Sequence, residues 1–304
     1  MVLPAWNAAP LIGRAIASVA GQTLSDLEVI VVDDASTDDT ADHAAAALSA
    51  AGLRHTVIRL EQNAGPAAAR NAGVASARGH YVAFLDADDE WLPGKLEAQV
   101  RLMDDHPEVT LCGCQGVWVQ ESGEEAGPVF ENLPRLQPDG WKQELWAAGL
   151  ATPCAMARRK DLGDRPFDPR LAVGEDRDLW IRLASKGSVG LVQEPLVRIR
   201  LSSGSYMARH AELAREFTLP MIERHIAAFA DRLTLRERLR ARGHVHSGIG
   251  KAFTERPETF AEGAKHLLRA AACGFRPVDS LRQILCTAPV LREIRVALKA
   301  WLRR

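Results

Sequence analysis

The chain has 304 residues, 47% of them hydrophobic and 25% charged, proportions of a globular protein that exclude disordered, collagenous and disulfide-scaffold classes. Its net charge of -1 hides an asymmetry: residues 1–204 carry 19 Lys and Arg against 29 Asp and Glu, and residues 205–304 carry 19 against 10. The length suits one large domain with a smaller appendage, and the charge split gives the two parts different partners, the basic one facing an anionic surface or the acidic part.

The first strand is short, Met1-Val2-Leu3-Pro4, and Trp6-Asn7 follows at a strand-to-helix turn, where Asn7 serves a site or an N-cap equally well. EVIVVDD, from Glu28 to Asp34, is an apolar run closed by carboxylates and reads as a buried strand. The Ala-rich stretch after it reads as a helix capped by Thr37, Asp38 or Asp39 and ending at Gly52. His55–Leu60 is the next strand, and the helix in NAGPAAARNAGVASARG runs from near Pro66 to a C-cap at Gly79. Tyr81–Asp86 is a further buried strand, followed by the acidic cluster Asp86-Ala87-Asp88-Asp89 and a helix in PGKLEAQVRLM. This βαβαβ alternation of nearly all-apolar strands predicts a doubly wound, mostly parallel sheet with helices on both faces and ligand sites at the carboxyl ends of its strands.

Val109–Gln120 reads as a strand, residues 121–140 as a Gly-, Pro- and Glu-rich loop, and Gly174–Gly187 as a helix with Leu179, Trp180 and Leu183 turned inward. SVGLVQEPLVRIRL gives one or two strands, and the α/β unit, residues 1–205, ends there. Residues 206–304 read as a helical C-terminal appendage punctuated by Gly243, Pro257, Gly274 to Pro277, and Pro289. Its last segment puts Leu291, Ile294, Leu298 and Trp301 on one stripe and Arg292, Arg295, Lys299 and Arg303 elsewhere, a basic amphipathic helix that docks on anionic lipid or packs on the core with a solvated basic face.

Both acidic clusters, Asp33-Asp34 and Asp86 to Asp89, fall at strand ends. Carboxylates gathered there repel unless a cation or donors compensate them. Hard oxygen ligands favour magnesium or manganese completed by phosphate oxygens, while a solvated acidic turn capping the next helix accounts for the pattern as well. Glu175 and Asp176 open a helix, where they complement its positive end or act as a general base. Arg70 is left as a partner of a phosphate, a partner of Asp34, or a surface residue. The five cysteines, Cys112, Cys114, Cys154, Cys273 and Cys286, form no C-x-x-C pair and read as inert core thiols in a reducing cytoplasm. The nine histidines show no ligand spacing, and His244 and His246 diverge on a helix. No apolar run approaches the roughly 18 residues that span a bilayer, and no signal-peptide plan opens the chain.

In their order and spacing, PAWNAAPLIGRAIASVAGQT, EVIVVDDASTDDT, NAGPAAARNAG, YVAFLDADDEW and GEDRDLWIRL resemble the family 2 inverting glycosyltransferases of GT-A fold, over about residues 1 to 205. The resemblance implies a nucleotide-sugar-binding domain in which Asp34 accepts a hydrogen bond from the base, the backbone near Pro4 lines the same pocket, and Arg70 lies near the base. It implies that Asp86 and Asp88, with Asp89 close by, hold a divalent manganese or magnesium ion against the sugar diphosphate. Asp176 matches the catalytic base, and Glu175 and Trp180 shape the acceptor side.

Two departures accompany it. The first strand is shorter than the family's, and Ser202 stands where many relatives carry a metal- or diphosphate-contacting histidine. The Q-x-x-R-W motif of processive synthases is absent, which favours transfer of single sugars. The expected activity is transfer from a nucleoside diphosphate sugar, a UDP-sugar above others, to a hydroxyl of a glycan, lipid-linked or small-molecule acceptor in polysaccharide biosynthesis. The expected setting is cytoplasmic or peripheral on the inner membrane face, with no nucleic-acid partner. The alternatives are a nucleotidyltransferase, which predicts a Gly-rich basic phosphate loop that PAWNAAPLIG lacks, and a catalytically weak nucleotide-sugar-binding protein.

Overall fold

The structure, a computed structural model, describes residues 1–130, 134–147, 149–201 and 211–287. These divide into two compact units, Met1–Glu144 with Ala148–Ser203, and Leu145–Ala147 with Gly204–Arg304.

The first unit is α/β. β1 (Val2–Ala5), β2 (Val29–Asp33) and β3 (His55–Arg59) form a parallel sheet in that order, with Val2 opposite Ile30 and Val29 opposite His55. All five residues of β2 are buried, as a strand covered on both faces requires. The connections are α1 (Ile12–Ala20) and α2 (Thr40–Ala50), and α3 (Gly65–Ser76) follows β3 and packs on β1 and β2. The Val2 carbonyl accepts the Leu85 N–H at 3.1 Å, so Val2 and Pro4 point their backbone groups away from β2. Pro4, which has no N–H, therefore breaks no bond of the β1–β2 ladder.

β4 (Tyr81–Ala83) begins a second, mixed sheet of order β4-β9-β6-β10-β5, in which β5 is Glu90–Trp91, β6 Val109–Val119, β9 Met156–Arg158 and β10 Ser188–Arg200. The parallel bridge from Val2 to Phe84 joins the sheets. β4 stops at Ala83, short of the expected Asp86, because Tyr81 to Ala83 pair with β9 while Phe84 and Leu85 turn to Val2. Residues 121–140 hold two short edge strands, β7 (Glu125–Pro128) and β8 (Leu136–Gln137), where a loop was expected. α3 ends at Ser76 with Ala77 as C-cap, three residues before the expected stop at Gly79. The remaining helices of the unit are α4 (Lys95–Asp105), α5 (Gly140–Trp146, in this unit as far as Glu144), α6 (Arg159–Leu162) and α7 (Glu175–Ala184).

In the second unit a π-helical turn, Ala214–Thr218, leads into α8 (Leu219–Ala228), followed by α9 (Leu235–Thr254), α10 (Phe260–Ala272) and α11 (Pro277–Thr287). α9 opens with a capping box in which Glu237 Oε2 accepts the Thr234 N–H at 2.8 Å and Thr234 Oγ1 accepts the Glu237 N–H at 3.3 Å. Gly243 lies inside α9 against the Phe275 side chain and does not punctuate the chain. Within α9 His244 meets Phe275, while His246 Nδ1 stands 2.9 Å from His266 Nδ1, so the two histidines do diverge. Ser202 and the segment 290–304 lie outside the described residues. Among the described residues no helix is long and apolar enough to cross a membrane.

Candidate active site

The carboxylates sit where the chain leaves its strands. Asp34, one residue past β2, is buried and accepts the N–H groups of Ala64 through Oδ1 and Gly65 through Oδ2, both at 2.8 Å. It thus satisfies two free donors at the start of α3 and complements its positive end, while a carboxylate with about four lone-pair positions keeps some for a ligand. Asn7, at φ 48°, accepts the Thr37 N–H at 2.8 Å and donates its own N–H to Ser36 Oγ at 2.9 Å. It ties the first two strand-end loops together and is not the N-cap of α1, which is Leu11.

After Leu85 the chain turns sharply, the Asp89 N–H reaching the Asp86 carbonyl at 3.1 Å. Asp86 Oδ1 accepts Arg70 Nη2 at 2.8 Å. Asp88 is half-buried and, among the described residues, accepts no hydrogen bond from another residue; burial and the neighbouring Asp86 raise its pKa. Asp89 is buried and accepts the Arg200 N–H at 2.9 Å, with its pKa raised well above the usual range by burial and by Asp86 and Asp88. It fastens the turn to the end of β10 and so differs from the two carboxylates it was grouped with as metal ligands.

No three His, Cys, Asp or Glu side chains among the described residues gather closely enough to hold a metal ion by themselves. The oxygen donors of Asp86 and Asp88 nevertheless fit magnesium or manganese bound through one or two carboxylates plus substrate phosphates. The raised pKa of Asp88 marks a negative charge short of compensation, which such a cation would supply.

Arg70, on α3, is neither a surface residue nor a partner of Asp34. It is 5% exposed and pairs with Asp86 through Nη2 and with Glu175 Oε1 through Nη1 at 2.7 Å, its guanidinium 5.6 Å from the Phe167 ring centroid. Burial alone would lower its pKa; Asp86 and Glu175 outweigh that and raise it. Glu175 is raised by burial and by Asp176, against the pull of Arg70. One buried guanidinium thus links the D-x-D turn to the first residue of α7.

Asp176, the next residue of α7, is half-buried. Its Oδ2 accepts the Thr152 hydroxyl at 2.8 Å and its Oδ1 the Arg177 N–H at 2.7 Å. Arg177 is buried, donates Nε to the Glu144 carbonyl at 2.8 Å, and has its pKa lowered to about 10 by burial. Glu144 Oε2 accepts the N–H groups of Gly149 at 3.1 Å and Leu150 at 3.3 Å, and burial pushes its pKa up to about 7. Thr152 and Glu144 carry no sequence signal: they belong to no motif, and only folding brings them to Asp176, whereas Arg177 is its neighbour in GEDRDLWIRL.

Two expected acceptor-side residues are not on a surface. Trp180 is fully buried, packed with Phe84 at 5.9 Å and Phe167 at 6.1 Å between ring centroids, because it points down the core face of α7. Glu175 is buried against Arg70. Cys112, Cys114 and Cys154 are buried, Cys112 being pushed up to about 12 by burial, whereas Cys273 is half-buried and Cys286 exposed, so the inert-core reading covers only three of five.

A family model described as Glycosyl transferase family 2 matches residues 1–165. The succinoglycan biosynthesis protein ExoO of Rhizobium meliloti is 42% identical over all of this chain and 85% of its own length. Several other curated relatives are much longer, and the chain spans about a third of the length of two uncharacterized glycosyltransferases of Rickettsia. Among solved structures, S. aureus TarS 1-349 in complex with UDP-GlcNAc is similar at a TM-score of 0.57 and 19% identity, over 93% of this chain and 90% of that one. The mannosyltransferase PcManGT from Pyrobaculum calidifontis, in complex with GDP-Man and Mn2+, is similar at 0.61 and 22% identity, over 97% and 81%. At those identities the structural likeness speaks for the fold.

Proposed function

The chain belongs to glycosyl transferase family 2, and on that premise we propose that it transfers one sugar from a nucleoside diphosphate sugar to an acceptor hydroxyl with inversion at the anomeric carbon. The observation that carries this reading is Arg70. By pairing with Asp86 and Glu175 at once, it sets the D-x-D turn and Asp176 in one constellation, a diphosphate-side acid pair beside a candidate base.

Asp176 takes the proton of the acceptor hydroxyl. The hydroxyl oxygen forms its bond to the anomeric carbon as the bond to the diphosphate oxygen breaks, and the nucleoside diphosphate leaves with the bonding electrons. Asp86 and Asp88 hold a manganese or magnesium ion, which when bound offsets the charge on the leaving diphosphate. Asp34 and the backbone at Pro4 receive the base. Arg70 positions Asp86 and Glu175, and Asp89 secures the turn. Trp180 supports α7 from the core.

TarS with UDP-GlcNAc and PcManGT with GDP-Man support a nucleotide-sugar donor, and we favour a uridine nucleotide. The likeness to a succinoglycan biosynthesis protein supports a glycan or lipid-linked acceptor in polysaccharide assembly. Residues 290–304 supply contact with an anionic membrane surface. No Lys or Arg lies between Pro4 and Gly13, which disfavours the nucleotidyltransferase alternative.

The test is the thermal midpoint of the full chain with UDP, GDP, dTDP or CMP, with and without manganese. A ligand at about a hundred times its Kd adds about 2.7 kcal/mol to the folded state, so one nucleoside diphosphate should raise the midpoint by several degrees only with metal. Asp176→Asn should keep that shift and lose transfer by about 10²- to 10⁴-fold. No shift with any nucleotide, or unchanged turnover in Asp176→Asn, would overturn the reading.

A further inference from the structure

The geometry points to Thr152 as a positioning residue for the Asp176 carboxylate, anchored in its turn by Glu144; the inference rests on the reading of Asp176 as the base. Asp176 stands in the first turn of α7, where an aspartate side chain has several staggered orientations open to it. Two donors remove that freedom. The Arg177 N–H fixes Oδ1 from within the helix, and the Thr152 hydroxyl fixes Oδ2 from a separate segment.

Thr152 can do this because its own segment is held. It is 5% exposed and opens the 3-10 turn Thr152–Cys154, whose Pro153 carbonyl accepts the Trp91 indole N–H at 2.8 Å. Trp91 lies two residues past Asp89, so this bond ties the turn to the chain leaving the D-x-D cluster. On the other side, Glu144 Oε2 binds the N–H groups of Gly149 and Leu150. A Cβ on Gly149 would lie 2.6 Å from Glu144 Oε1, so a larger residue there would displace the carboxylate from this position. The path from Glu144 through residues 149–151 to Thr152 is a strut with the base at its end. Neither Thr152 nor Glu144 touches the reacting atoms; both act through Asp176.

The test measures hydrolysis of UDP-glucose, UDP-N-acetylglucosamine and GDP-mannose with manganese, water serving as acceptor, in the wild type, Thr152→Val, Thr152→Ser, Asp176→Asn and the Val/Asn double variant. Thermal midpoints are recorded for each, and Thr152→Ala replaces Thr152→Val should the latter unfold. Thr152→Val is expected to lower kcat about tenfold or more with donor KM within about twofold, and Thr152→Ser to restore kcat to within about threefold of wild type. In the Asp176→Asn background Thr152→Val should cost nothing further, because a residue that acts through another is silent once that one is gone. Full kcat in a folded Thr152→Val protein, or an equal further loss in the double variant, would remove Thr152 from the mechanism while leaving Asp176 as base. Wild-type turnover in Asp176→Asn, or none by the wild type with any donor, would instead overturn the reading of the base and the positioning role with it.

Discussion

Glu144 shows how a single buried group sets pH behaviour. Its carboxyl titrates from 4.5 in the unfolded chain to about 7 in the folded protein, where burial opposes ionisation and Asp176 adds repulsion. The folded state therefore binds the proton more tightly. Stability from this group is full below about pH 4.5, falls as pH rises through the window to about 7, and is level above it. Glu144→Gln keeps an acceptor for Gly149 and Leu150 and removes the titration, so its midpoint should vary less between pH 5 and 7.5 than that of the wild type. The difference in slope should amount to about 1–3 kcal/mol over that span, whatever constant offset the amide introduces. Parallel melting curves against pH would show that Glu144 ionises normally. Asp34, Asp86 and Asp88 were legible as candidates because carboxylates closing an apolar run are a local pattern, and Asp176 because a carboxylate opening a helix is another. The partners of Arg70 were not, since Asp86 lies 16 residues from it and Glu175 lies 105 away.

Among the elements, α3 joins fold and site. Its N-terminus receives Asp34, its middle supplies Arg70, and its Gly73 faces β1 so closely that a Cβ would lie 2.3 Å from Val2 Cγ1. Gly73→Ala should destabilise the protein by about 1–3 kcal/mol through overpacking, lowering the midpoint by several degrees. Val2→Ala in the same chain should restore part of that loss, because it removes the atoms in the way. An unchanged midpoint in Gly73→Ala would mean that α3 does not seat on β1 this tightly. The helix and its proline start were readable from GPAAARNAG, but its end was misplaced, since Gly79 looked like a stop and the chain left helical geometry at Ala77. β4 was misjudged for a related reason: YVAFLD is one apolar run, yet its two halves pair with different strands. β7 and β8 escaped notice because a short edge strand bearing Gly127 and Pro128, or one of only two residues, lacks an apolar pattern.

Over the whole molecule, the charge division is the feature with a consequence of its own. Residues 205–304 carry 19 basic against 10 acidic side chains and end in a segment that alternates leucines with cations. The proposed anionic-membrane contact predicts that the full chain sediments with vesicles rich in phosphatidylglycerol and not with pure phosphatidylcholine, and that salt weakens the binding. Replacing Arg292, Arg295, Lys299 and Arg303 together by glutamine should abolish sedimentation. Retention by the quadruple variant would assign that segment a structural role. By itself the sequence determined the α/β class, the family and the strand-end carboxylates, because hydrophobic periodicity and short motifs are properties of neighbouring residues. The tertiary structure alone decided that Arg70 bridges Asp86 and Glu175 and that Thr152 holds Asp176 from 24 residues away. Those facts depend on which strands pair and which faces meet, and no local pattern encodes a contact between side chains that only folding brings together.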